Sequence, residues 1–463
     1  MMWHTCVPHS FFANENEKIS FHSYSITKYK GGVFMKKFIS LLLVLIMVFS
    51  LTACGASNEA DTGLSGSRGD GGIISGVINK TESAVGMDGV MGDVEMAPMA
   101  PGESIIAPEP GGDEQKPVYV AGTLTAGEWK DLENIDFWTK LLNRNDWYEL
   151  MESRNLFTNK IVPVKVVNDL GYPCYNAHVY LVDKDGNKLY HSVSDVYGNA
   201  YLLYNLNKGD DEKPTSVMIN DNTYPITQDG VTEVKIDGER ANVKELDLML
   251  MIDTTGSMSD ELTYLQTELE NVVNEINTAN QILSIRVSVN FYRDEEDEYV
   301  IKPYEFTDDI EKAVTQLNAQ RTDGGGDYPE AVHKALNNIV QEHDWRESAV
   351  KLCFFVLDAP PHSEQEIKDI NSTMQKSIEA MAAEGVRLIP VASSGIDTET
   401  EFLLRSWATM TGGTYTFLTN HSGVGNDHLE PTIGDYEVEL LNNLMVRLIG
   451  EYCDIGLIPE IQY

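Results

Sequence analysis

Cysteine is scarce in this chain: five in 463 residues, with no Cys/His spacing of the zinc-binding kind and no even, regular framework of disulfides. Cys353 lies in an apolar run and reads as a buried free thiol, while the spacing leaves a Cys174–Cys453 bridge open. Positive charge is also scarce. Lys and Arg number 34 against 72 Asp and Glu, a formal charge of −38. Such a field repels nucleic acid, anionic lipid and other polyanions, which argues against nucleic-acid binding. The marked apolar run, Phe38 to Ser50, is too short for a comfortable membrane-spanning helix. No Ser–His–Asp or Cys–His order suggests nucleophilic catalysis, and paired acids are so common here that they single out nothing. Enzymatic turnover is therefore not expected.

What is present begins with an address. Met35-Lys36-Lys37 is a basic start, Phe38 to Ser50 an apolar stretch, and Leu51-Thr52-Ala53-Cys54-Gly55 a small-residue cleavage site followed by cysteine. This resembles a bacterial lipoprotein signal (35–53), which implies diacylation (palmitate) at Cys54 and an extracytoplasmic protein anchored to the cell membrane, of Gram-positive type. Residues 1–34 fit neither signal nor domain. Lys30-Gly31-Gly32 can be encoded by a purine-rich ribosome-binding sequence just ahead of Met35, so the expected start is Met35 and 1–34 a mis-assigned extension. From Cys54 onward 29 basic residues (34 less five) face 70 acidic ones (72 less two), a formal charge of −41.

Residues 54–116 are rich in Gly, Pro and acids and bury too little apolar surface to order themselves, as expected of a flexible tether. The Arg68-Gly69-Asp70 tripeptide within it is short enough to arise by chance. Residues 117–159 are aromatic-rich, and Phe137, Leu141 and Leu142 are spaced for one or two helices packing on the next domain. Between 160 and 240 the pattern alternates: Val162, Val164, Val166; Ala177, Val179, Leu181; an Asp185-Gly186 turn; then 198–203, 216–219 and 231–236. This looks like a small β-sandwich similar to carboxypeptidase regulatory-like or Cna-B-type modules. The segment Asp183-Lys184-Asp185-Gly186-Asn187 is not a calcium loop, because its glycine comes too early and the closing Glu is missing.

From 244 to 455 strands and helices alternate, with strands near 246–252, 285–292, 350–357, 386–391 and 414–417. That order predicts an α/β fold with a doubly wound, mainly parallel sheet, leaving 456–463 as a tail. In such folds ligands sit at the carboxyl ends of the strands. There the chain places Asp253-Thr254-Thr255-Gly256-Ser257-Met258-Ser259 and Leu357-Asp358-Ala359-Pro360-Pro361, while Asp323-Gly324-Gly325-Gly326-Asp327-Tyr328-Pro329-Glu330 opens a helical pattern (Ala331, Val332, Ala335, Leu336, Ile339). Hard oxygen donors suit Mg²⁺, Ca²⁺ or Mn²⁺. The glycine run lacks a following G-K-[ST] and so is not a P-loop. The acidic run Asp294 to Glu298 follows a strand end and either borders this rim or is only solvated; His362 reads equally as a loop residue.

With these three segments in order, the chain resembles the von Willebrand factor A family and its metal-ion-dependent adhesion site (MIDAS). The resemblance implies a Rossmann-like fold in which Thr255 and Ser257 coordinate Mg²⁺ (or Mn²⁺/Ca²⁺) directly, with Asp253 and Asp358 acting directly or through water. Asp327 takes the position where many members have Thr. It adds a negative charge, which strengthens metal binding and disfavours an acidic partner group. The implied function is adhesion, the binding of a protein or glycan partner at a cell surface. The alternatives are a scaffold for an envelope complex in which the metal only orders the loops and, remotely, a metal-dependent hydrolase.

Overall fold

The computed structural model describes residues 120–228, 230–279 and 283–455, within the second of two units, Pro108–Tyr463. The 1–34 extension, the signal, Cys54, the tether and the 456–463 tail lie outside the described residues. No described helix is long and apolar enough to cross a membrane.

The described chain opens with strand β1 (Thr125–Trp129) and helices α1 (Ile135–Leu142) and α2 (Asn145–Arg154). Seven strands follow: β2 (Ile161–Asn168), β3 (His178–Asp183), β4 (Lys188–Val193), β5 (Asn199–Leu203), β6 (Pro214–Ile219), β7 (Asn222–Pro225) and β8 (Thr232–Ile236). They form a three-stranded sheet, β5–β2–β8, and a four-stranded one, β4–β3–β6–β7. Val164 and Val166 of the first sheet share a core with Val179, Leu181 and Val217 of the second, which is what alternation along each strand requires. Asp183 spends its carboxylate on its own turn, accepting from the backbone N–H of Asp185 and Asn187.

The remaining elements are β9 (Glu245–Asp253), α3 (Leu262–Ala279), β10 (Ser284–Tyr292), β11 (Ile301–Lys302), α4 (Ile310–Asn318), α5 (Val332–Gln341), β12 (Val350–Leu357), α6 (Ile370–Glu384), β13 (Val386–Ala392), α7 (Thr398–Thr411), β14 (Tyr415–Leu418), β15 (Glu439–Leu440) and α8 (Leu441–Tyr452). The large sheet runs β11–β10–β9–β12–β13–β14–β1–β15, with β10, β9, β12, β13 and β14 parallel to their neighbours in that series. All eight residues of β12 are buried, so its run, apolar apart from Lys351, belongs to a strand covered on both faces. One face packs with Met249, Met251, Phe355 and Leu357, the other with Leu248, Leu250, Phe354 and Val356. The expected mainly parallel α/β fold is present.

Two differences from the sequence reading stand out. Residues 125–129, read as part of a helical segment, form a strand that runs antiparallel to β14, with Ala126 opposite Leu418. Its partner is almost three hundred residues away, so no local pattern announced it. The sequence predicts a helix over 364–384, but α6 starts at Ile370, because Asp369 takes a left-handed φ of 61° that ends helical continuity. Cys174, Cys353 and Cys453 are all free and buried.

Candidate metal centre

The sheet changes direction between β9 and β12. From β9 the chain winds outward to β10, then returns to β12 on the other side of β9. The crevice at this switch point is where a parallel sheet leaves room for a ligand. Asp253 is the last residue of β9 and Asp358 directly follows β12, so the two carboxyls flank that crevice. Both are buried, Asp253 fully and Asp358 to 4 % exposure.

The loop after β9 is set by its own side chains. Asp253 Oδ1 accepts from the Thr255 backbone N–H at 2.8 Å and from its hydroxyl at 2.7 Å. Thr255 Oγ1 and Ser257 Oγ stand 3.2 Å apart. Thr255 is buried and Ser257 exposed, so the hydroxyl pair runs from the interior to the surface. The glycine loop closes over it: Gly256 N donates to Gly324 O at 3.1 Å, and Asp323 N to Thr254 O at 3.1 Å. Gly325 has φ +67°, and a Cβ there would come within 2.9 Å of Glu330 Oε1 and 3.2 Å of Thr255 Cβ. Only glycine meets both the left-handed backbone and the close approach.

The inward acid of this second loop is Glu330, not Asp327. Glu330 is 2 % exposed, and its N–H is fixed by Pro360 O at 2.9 Å. Asp327 is exposed, and its carboxylate lies within 4.8 Å of donor atoms of His362 and Glu366. The structure thus groups Asp253, Thr255, Ser257 and Asp358 as the sequence suggested, adds Glu330, and places Asp327 in a different cluster. The acidic run borders the rim: Asp297 Oδ2 accepts from Gly325 N at 2.9 Å and from Asp294 N at 3.0 Å.

The electrostatics of the crevice are those of a cation site. Asp253 Oδ2, Asp358 Oδ1 and Glu330 Oε2 are buried without a hydrogen-bond partner. Burial, with Asp253, Asp294 and Asp358 nearby, pushes the Glu330 carboxyl up to about 9. Burial and the neighbouring Asp253 push Asp358 up to about 8, against the Ser257 hydroxyl that lowers it. Burial lifts Asp253 to about 6, opposed by its bonds from Thr255. An uncompensated buried carboxylate costs several kcal/mol, so three such oxygens around one crevice must hold protons or a cation. The donor set, three carboxylates and two hydroxyls, fits a hard divalent ion. The three carboxylates do not themselves close within 4.8 Å, since among the described residues the one trio of His/Cys/Asp/Glu donors that does is Asp327, His362 and Glu366. The hydroxyls and intervening water would complete the shell of the first site.

The loop after Asp358 is tied down from a distant part of the chain. Arg154 of α2 donates to His362 O at 2.8 Å and Pro361 O at 3.2 Å, and pairs with Glu399 at 2.7 Å. Sequence reasoning missed both Glu330 and Arg154. A signal existed for Glu330, which abuts the apolar helical pattern Ala331, Val332, Ala335, whereas Asp327 sits among turn residues. None existed for Arg154.

Residues 247–420 match the family model described as the von Willebrand factor A domain. A putative ariadne-like RING finger protein of Acanthamoeba polyphaga mimivirus is 27% identical over 221 residues, 44% of this chain and 20% of that protein. The chain thus spans about a fifth of that relative's length. The crystal structure of a conserved hypothetical protein, BatB, from Bacteroides thetaiotaomicron overlays with a TM-score of 0.30 at 12% identity, covering 45% of this chain and 99% of that one; so slight an overlay adds nothing to the assignment. The chain carries a von Willebrand factor A domain over residues 247–420, with the mainly parallel sheet expected of it.

Proposed function

We propose that this protein is a non-enzymatic recognition module whose von Willebrand factor A domain binds a protein or glycan partner through a divalent ion. The observation that carries the reading is the set of unpartnered buried oxygens on Asp253, Glu330 and Asp358, converging beside an exposed Ser257 hydroxyl. In this reading Thr255, Ser257, Asp253, Glu330 and Asp358 hold Mg²⁺ or Mn²⁺, directly or through water. When bound, the ion supplies a coordination position that faces solvent. The chain's own part is to bury the carboxylates, fix Thr255 through Asp253, and keep the rim open at Ser257 and Gly326.

Charge decides the kind of partner. Three ionised carboxylates around one dication leave a net negative site, so a partner carboxylate is a poor completing ligand. An amide carbonyl or a sugar hydroxyl fits better. The charge argument first attached to Asp327 belongs to Glu330, which is buried and therefore less screened. The lipoprotein-like signal and Cys54 support a location outside the cytoplasmic membrane, where two acyl chains would anchor stably and residues 54–116 would give the module reach.

Thermal melts in Mg²⁺, Mn²⁺ and chelator, on wild type and Asp253→Ala, test the metal. A ligand at 100 times its Kd adds about 2.7 kcal/mol, which for a domain of this size is about 5–10 °C in Tm. Wild type should gain that increment and Asp253→Ala should not; equal responses would sink the reading. The scaffold alternative separates from it by partner capture on cross-linked cells, which under that alternative survives Ser257→Ala.

A further inference from the structure

The strongest unassigned feature lies on the loop that follows Asp358. His362 is 9 % exposed, and its Nε2 stands 2.8 Å from Asp294 Oδ1. A carboxylate only accepts, so in the neutral ring Nε2 carries the hydrogen and Nδ1 keeps its lone pair. That Nδ1 is buried and has no hydrogen-bond partner. It lies near the Glu366 carboxylate, and one donor atom each from Asp327, His362 and Glu366 fall within 4.8 Å of one another. Glu366 Oε2 is 3.8 Å from Nδ1 and is itself held in place by Ser363, whose N–H and hydroxyl donate to it at 2.7 Å.

This is the arrangement a metal-bound histidine needs: one ring nitrogen oriented by a carboxylate, the other free toward the ion. Donors about 2.1 Å from a tetrahedral ion stand about 3.4 Å apart, so small rotations of the exposed Asp327 and Glu366 side chains suffice. The donor set differs in kind from the all-oxygen crevice. An imidazole with two carboxylates suits Zn²⁺ and neighbouring transition ions, whereas oxygen alone suits Mg²⁺ and Ca²⁺. The two carboxylates balance a dication, and the exposed side leaves room for water or a partner's donor.

We propose that Asp327, His362 and Glu366 form a second metal site, selective for Zn²⁺ or a similar transition ion, with Asp294 as the positioning residue for His362. The site is separate from the Asp253–Glu330–Asp358 crevice and does not depend on the function proposed for it. Asp327, which the order of the motifs had assigned to the first site, is thereby a ligand of the second.

The test is zinc binding by the full chain in excess Mg²⁺, followed by competition with a chromophoric chelator and by elemental analysis after dialysis. Wild type and Asp253→Ala should each hold one Zn²⁺ that Mg²⁺ does not displace. Asp327→Ala and His362→Gln should lose that equivalent or bind it at least about tenfold more weakly. Asp327 is exposed, so its variant should melt like wild type without metal, which separates lost binding from lost folding. Three results would overturn the proposal. Asp327→Ala binds zinc as wild type does, as it would if His362 were an imidazolium bridging Asp294 and Glu366. The zinc vanishes in Asp253→Ala, which puts it in the crevice. Or it vanishes only in His191→Gln, which puts it on the His178–His191 pair, whose nitrogens are 3.0 Å apart.

Discussion

Metal binding in the crevice should release close to two protons at pH 7. Without metal, Glu330 is held up to about 9 and Asp358 to about 8, both by burial first and by neighbouring carboxylates second. Each therefore carries its proton at neutral pH, whereas Asp253, at about 6, is mostly ionised. A divalent ion needs all three as carboxylates, so it displaces the two protons. The folded, metal-free protein keeps these protons to higher pH than the unfolded chain does. Its stability accordingly declines as pH climbs from about 4 toward 9, and metal binding opposes that decline. Calorimetric titration with Mg²⁺ or Mn²⁺ in buffers of different ionisation enthalpy measures the number directly. It should be about two at pH 7, rise toward three near pH 5 and fall toward zero above pH 9. Release of less than about half a proton at pH 7 would mean that the ion does not engage the buried carboxyls, and would refute the argument.

Glu330→Gln keeps the shape of the inward acid and removes its charge. It should raise the metal-free Tm at pH 8 while weakening Mg²⁺ or Mn²⁺ binding by about 10–100-fold; paired melts with and without metal read both signs, and unchanged values in both would exclude Glu330 from the site. Arg405 is fully buried and bonds Asp131 at 2.6 and 2.8 Å and Glu401 at 2.9 Å. Arg405→Met strands both acids and should cost about 3–5 kcal/mol in denaturant unfolding, part of it recovered in Arg405→Met/Asp131→Asn.

The large sheet was legible because its two central strands are apolar runs interrupted only near their starts, by Asp247 and Lys351. Leu246–Ile252 and Val350–Leu357 can only be buried on both faces, and each is followed at once by a carboxylate, which fixes the strand end and the switch-point crevice together. Thr255 and Ser257 were legible for a local reason, since a two-residue spacing after Asp253 suffices to bring hydroxyl and carboxylate to one rim. The glycine loop was legible as a loop but not in its direction. Asp327 and Glu330 are three residues apart, and left-handed Gly324 and Gly325 turn the chain so that the later acid points inward. His362 offered no pattern at all, because its carboxylate partner Asp294 comes from the loop after β10, far back in the sequence.

The least legible contribution came from the segment before the β-sandwich, and it bears on what the domain is. The family match covers 247–420, yet β14 pairs along its outer edge with β1, four residues deep, and β15 adds to the same strand. Glu268 of α3, fully buried, accepts from the N–H groups of Gly122, Thr123 and Leu124 at 2.7–3.0 Å. Arg154 holds the loop carrying His362, and Arg405 of α7 finds Asp131 just after β1. Cutting the chain at 244 would remove all of these partners at once. It would expose the edge of β14, leave Glu268 buried without donors, leave Arg405 short of a counter-charge, and free the loop beside Asp358. The physical domain is therefore discontinuous: residues before the sandwich complete the sheet and brace the metal loops, and the sandwich is inserted between that first strand and the rest. A fragment beginning at 244 should bind metal more weakly even with every ligand present, because Arg154, which braces the loop after Asp358, lies before that cut.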